Sequence, residues 1–110
     1  MTQDRYLCSH LVWLRERGRS DDEPFPALLE EISAKDATLG LEEPLPEGLE
    51  LEMTTDSYAI PGRVVSCTVR EADFELAIEF VEGREWNRAE WQPEHLYLPR
   101  PTAAAKAAAN

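Results

Sequence analysis

Apolar and polar residues alternate most cleanly along "LELEMT", where Leu49, Leu51 and Met53 fall on one side and Glu50, Glu52 and Thr54 on the other. A period of two marks a strand with one face buried and one in water. "DFELAIEFVEG" repeats the pattern, with Phe74, Leu76, Ile78 and Phe80 inward and Glu75 and Glu79 outward. Four further stretches are rich in apolar or β-branched residues. They are "RYLCSHLVWLRER" (Arg5 to Arg17), "FPALLEEIS", "ATLGLEE" and "AIPGRVVSCTVRE". Within the second, Leu28-Leu29-Glu30-Glu31 taken alone also fits a helical fragment. In the last, Pro61 and Gly62 point to an edge start or a bulge.

The breaks between these stretches are polar, or bounded by proline and glycine: "GRSDDEP" (Gly18 to Pro24) and "PLPEG" are the clearest. Six strands with short connections predict an all-β fold, a six-stranded antiparallel β-barrel, since closure leaves no strand edge exposed. After Gly83 the pattern changes. "REWNRAEWQPEHLYLP" holds Trp86 and Trp91, and Pro93 is placed to begin a short C-terminal helical turn. This segment is predicted to plug the barrel with aromatic surface, since Trp is usually largely buried. The final "TAAAKAAAN" is helix-prone, but isolated helices this short are marginal in water, so residues 101–110 are expected to form a frayed Ala-rich tail. Residues 1–100 then make one domain, of a size that supports a single modest core.

Charge narrows the list of partners. Lys+Arg number 11 against 22 Asp+Glu, for a formal net charge of −11. Nucleic-acid polymers and anionic membranes call for basic surface that displaces counterions, so neither is an expected partner. A small anionic ligand requires a locally basic spot. No run approaches the roughly 18 apolar residues of a membrane span, so no membrane insertion is expected. No secretory leader is recognised either, which predicts a cytoplasmic protein with Cys8 and Cys67 as reduced thiols.

Catalytic and metal chemistry find little purchase. Cys8 and His10 share a strand face, and Cys67 and His95 would complete a four-residue set, but the spacing matches no zinc module. A Cys–His pair on one strand lacks a third group to orient it as a nucleophile. No P-loop, dinucleotide fingerprint or nucleophile elbow is present, and the expectation is a non-enzyme without a cofactor.

The succession "LLEEISAKDATLGLEEPLPEGLELEM", "IPGRVVSC", "FELAIEFVEG" and "WQPEHLYLP" resembles the PilZ domain, a six-stranded barrel of bacterial signalling proteins. The likeness runs from about Arg5 to Pro99, and the opening and closing segments look like its short stand-alone branch. The resemblance implies a receptor or adaptor for cyclic di-GMP, a second messenger with two phosphates and two guanines. In such proteins an Arg-x-x-x-Arg before the first strand grips phosphate and guanine, and an Asp-x-Ser-x-x-Gly turn hydrogen-bonds guanine. The second motif stands here as Glu31-Ile32-Ser33-Ala34-Lys35-Asp36. Ser33 matches, Glu31 is one methylene longer, and Asp36 takes the glycine position, where it is among the few residues that tolerate positive φ.

The first motif is incomplete, because Arg5 is followed four residues later by Ser9. A literal match at Arg15 and Arg19 falls at the opposite end of the first hairpin, where the arginines are expected to face the acidic "SDDE" run. Pairing through the Gly18–Pro24 loop is expected to set Ser33 beside Ser9. The implied ligand set is therefore Arg5, Glu31, Ser33 and Asp36. The alternative is a barrel of the same fold that has lost the nucleotide and binds a protein, with the acidic surface favouring a basic partner. The expected core is Val12, Leu39, Leu51, Val65, Leu76, Ile78 and Phe80.

Overall fold

The computed structural model describes residues 4–18 and 23–97. Six strands form: β1 (Arg5–Glu16), β2 (Phe25–Ser33), β3 (Asp36–Leu41), β4 (Glu50–Thr54), β5 (Ala59–Val69) and β6 (Phe74–Phe80). They close into an antiparallel barrel in the order β1-β2-β3-β6-β5-β4. The six expected strands are all present, and no helix occurs among the described residues. The segment from Pro93 makes a turn at Glu94 and His95, with His95 at φ 59°, rather than a helix before Tyr97. The Ala-rich tail lies outside the described residues.

The core is the set of inward residues that alternation supplies. Val12, Leu14, Leu29, Leu39, Leu51, Met53, Ile60, Leu76 and Ile78 are fully buried. Each stabilises the fold by roughly 1.5–3 kcal/mol through the apolar area it removes from water. Phe80 packs on this core only partly buried. Val65 is a correction: it is 50% exposed, and Val64 is inside at 2%. The cause is a bulge in the β5–β6 ladder, where Val64 faces Ile78 and Ser66 faces Ala77, leaving Val65 as the extra residue.

Bulges also explain the helix-like spacing in β2. Leu29 and Ile32 are three apart, yet both are fully buried. The register shifts between Leu29 and Glu31 against β3, and between Leu7 and His10 against β1. An inserted residue converts a period of two into a step of three without any helix.

Only the last third of β1, Trp13 to Glu16, pairs with β4. The first half takes a different neighbour. Leu7 and Tyr97 exchange backbone hydrogen bonds at 2.9 Å in both directions, and the Ser9 amide donates to the Glu94 carbonyl at 3.1 Å. The segment after β6 thus straps the part of the β1 edge that β4 leaves open.

Candidate functional site

The β2–β3 turn carries three of the four implied ligand residues, and the β1–β2 register brings the fourth. Leu14 faces Phe25, and one bulge later Arg5 faces Ser33. The expected Ser9–Ser33 pairing is therefore wrong by several residues. The hairpin is lopsided, because β1 runs to Glu16 while β2 begins only at Phe25. The consequence is that Arg5 sits directly across from the turn.

All three of its guanidinium nitrogens are engaged there. Arg5 Nε lies 2.7 Å from Glu31 Oε1, Nη1 lies 2.5 Å from Asp36 Oδ1, and Nη2 donates to Thr38 Oγ1 at 3.3 Å. Partial burial would lower the Arg5 pKa, but the hydrogen bonds and charges of Glu31 and Asp36 outweigh it and raise the pKa. Two carboxylates on one guanidinium leave this cluster at −1, before Lys35 pairs with Glu85 at 3.1 Å.

Ser33 is committed as well. Its hydroxyl donates to Asp36 Oδ1 at 2.9 Å and accepts from the amides of Lys35 and Asp36 at 3.3 and 3.2 Å. The side chain is 2% exposed. This is a serine closing its own turn, the local bonding that favours Ser at such positions. Asp36 does not adopt positive φ. It is the first residue of β3, paired with Glu79, so the conformational tolerance expected of it is not used.

Behind the turn, the end of β6 and the segment after it take up two of its carbonyls. The Phe80 amide donates to the Lys35 carbonyl at 2.8 Å, and the Trp86 amide donates to the Ala34 carbonyl at 2.9 Å. Trp86 itself is 3% exposed. Its indole Nε1 donates to the Trp91 carbonyl at 2.8 Å, and its ring meets Tyr6 edge-on at 5.7 Å. Trp86 is therefore the expected plug. Trp91 is only half buried, stacked on Tyr58 at 5.4 Å and met edge-on by His10 at 5.1 Å.

No protein-family model matches the chain. Nor does any curated protein.

Of the first hairpin's arginines, expected to face the acidic run, Arg17 pairs with Glu82 at 2.6 Å. Arg19 and most of that run lie outside the described residues. Cys8 and Cys67 are both free and partly buried. Burial, with help from the nearby charges of Glu31 and Glu30, pushes the Cys8 thiol up to about 12. Among the described residues no group of three or more His, Cys, Asp or Glu is arranged to hold a metal ion. His10 accepts a hydrogen bond from the Glu94 amide at Nδ1, 3.0 Å away, so it supports the strap.

Sequence reasoning missed a second polar cluster. Arg70 bridges Glu30 at 3.0 Å and Asp73 at 2.8 Å on the outer face of the barrel. Hydrogen bonds to Asp73 and then Glu30 raise the Arg70 pKa, and the guanidinium lowers that of Asp73. Both guanidinium and carboxylates lie over Gly40, whose missing side chain leaves the room. A Cβ there would fall 2.7 Å from Arg70 Nη2 and from Glu30 Oε2. The "TLGL" glycine inside a strand was the available signal for such a close approach.

Proposed function

We propose that this chain is a PilZ-like signalling barrel that works as a protein-interaction module and does not take up cyclic di-GMP. It is non-enzymatic and cytoplasmic, and its partner presents a basic surface. The observation that carries this reading is the occupation of the Arg5 guanidinium by Glu31 and Asp36. A phosphate would have to displace two carboxylates from the one cation in the cluster. It would then sit beside both of them, in a protein of net charge −11. The Ser33 hydroxyl could reach a guanine only by giving up the bonds that close its turn.

The receptor reading keeps one specific support. Arg5, Glu31, Ser33 and Asp36 do converge on one spot, although Arg5 and Ser33 are 28 positions apart in sequence. Were Arg5 to swing out, Glu31 and Asp36 could accept from a guanine edge while the freed guanidinium met a phosphate. Isothermal titration with cyclic di-GMP at low salt separates the two. The expected result is no saturable heat, for the wild type and for Arg5→Ala alike. Micromolar binding that Ser33→Ala and Arg5→Ala both abolish would overturn the interaction module in favour of the receptor.

A further inference from the structure

The outer face of β1, β2 and β3 breaks the inside-apolar, outside-polar rule. Leu11 and Leu28 are cross-strand partners, and both point outward, 55% and 41% exposed. Pro26 and Trp13 form the next pair along, with Trp13 40% exposed. The connection after β3 stands over this surface as a wall, bringing Pro44 and Leu45 beside Leu11 and Leu28. The result is an open groove of about 610 Å³ with an apolar floor and wall. Scattered single apolar residues on a surface need no explanation, but a concave cluster with an ordered wall does.

Its rim is acidic. Glu42 and Glu43 are exposed on the wall, and among the described residues neither has an ion-pair partner. Glu30 and Asp73 close the other side, sharing Arg70 between them, so that trio still leaves one negative charge. Apart from Arg70, held between Glu30 and Asp73, no basic residue borders the groove among the described residues.

We propose that this groove receives a short amphipathic segment of another protein, its apolar side chains seated on Leu11, Leu28 and Leu45 and its lysines or arginines over Glu42 and Glu43. The proposal rests on the interaction-module reading and gives it a place and a chemistry. The charge pattern selects this occupant over the others. A second copy docked face to face would set Glu42 and Glu43 against themselves. An extended peptide adding as a strand finds no open ladder, because β2 and β3 are each paired on both sides. An amphipathic segment with cations at its margins satisfies both the apolar floor and the unpaired carboxylates.

The test uses the full chain, isotope-labelled for NMR, and three synthetic peptides. The probe carries Leu at helical spacing with Lys elsewhere; one control replaces its Leu by Ser, and the other replaces its Lys by Glu. The expected result is saturable binding of the Leu/Lys peptide, with amide shifts concentrated at Leu11, Leu28 and residues 41–45. Each control should bind at least about tenfold more weakly, a difference of roughly 1.4 kcal/mol. Leu28→Glu and the double variant Glu42→Lys/Glu43→Lys each change only exposed side chains, and each should weaken the probe about tenfold with the remaining spectrum unmoved.

Several outcomes would overturn the proposal. They are shifts centred elsewhere, such as on Trp13 and Trp91; equal binding of the Ser-for-Leu peptide; and no saturation at millimolar peptide. Concentration-dependent dimerisation that Leu28→Glu abolishes would assign the face to a second copy and overturn it too. The nucleotide titration is independent of all these. Cyclic di-GMP bound at the Arg5 turn, with the peptide still seated in the groove, would end the interaction-only reading and leave the groove standing.

Discussion

The β2–β3 turn and the groove lie on one sheet yet treat their surfaces in opposite ways. At the turn, the Ser33 hydroxyl, the Ala34 and Lys35 carbonyls and the Arg5 guanidinium all have partners within the chain. In the groove, Leu11 and Leu28 are open to water and Glu42 and Glu43 are without counter-charges among the described residues. A site that satisfies itself has little to offer a ligand, because binding must first undo what is there. A surface left unsatisfied is where a partner gains most. The turn that looks like a site in sequence is thus the better structural lock, and the plain outer face is the better place to bind.

If the turn is a lock, its supports should be costly to remove. The largest loss is expected for Trp86→Ala, which empties the plug and removes the indole bond to Trp91. About 3–5 kcal/mol should be lost in urea unfolding. A loss near zero would mean the plug is decoration and the turn is not held from behind. Ser33→Ala comes next, at about 1–2 kcal/mol, because two amides and the Asp36 carboxylate lose a buried partner.

Arg5→Ala should cost less, at about 0–1 kcal/mol, and less still at high salt. Its pairs with Glu31 and Asp36 are partly exposed and therefore screened. A large, salt-independent loss would instead make Arg5 part of the core architecture. The smallest effect belongs to the groove's margin. Gly40→Ala pushes on the ends of two flexible side chains, Arg70 and Glu30, while restricting the unfolded chain, so unfolding should shift by less than about 1 kcal/mol.

Cys8 offers a check of burial on the same strand. With the thiol pushed up to about 12, a Cys67→Ser variant should react with a thiol reagent at pH 8 about a hundredfold or more slower than when unfolded. The sign for stability follows from the same shift. The folded chain holds this proton after the unfolded one has lost it, so Cys8 disfavours folding progressively as pH rises from about 9 toward 12. The Cys8→Ala variant should lack that part of the alkaline loss, measured by urea midpoints across this range.

The strands were legible because alternation is a local property. Glu50 to Thr54 and Phe74 to Phe80 have the faces that their letters imply. What alternation cannot carry is register. Nothing in "GRSDDEP" says that Leu14 will meet Phe25, and that pairing, together with the bulge between Leu7 and His10, moves Ser33 from Ser9 to Arg5. Bulges are equally silent, which is why Val65 was expected inside in place of Val64. The Arg17–Glu82 and Arg70–Glu30 pairs join residues 65 and 40 positions apart, and charge patterning along the chain has no means of choosing between such partners. The groove did leave a trace. "LVWL" in β1 puts four apolar residues in succession, and a strand with one buried face can hide only every second one. Leu11 and Trp13 are the two left outside.

The strap along β1 has a consequence for the order in which the chain is made. Within this barrel β1 is made before the other strands, yet the partners of its leading half, Glu94 and Tyr97, are translated more than eighty residues later. At synthesis rates of about 5–20 residues per second, that interval lasts several seconds. Throughout it the Leu7–Ser9 edge offers unpaired backbone groups to any neighbouring chain. A nascent barrel of this kind therefore has a window in which chaperone cover matters, and it closes only when the strap emerges.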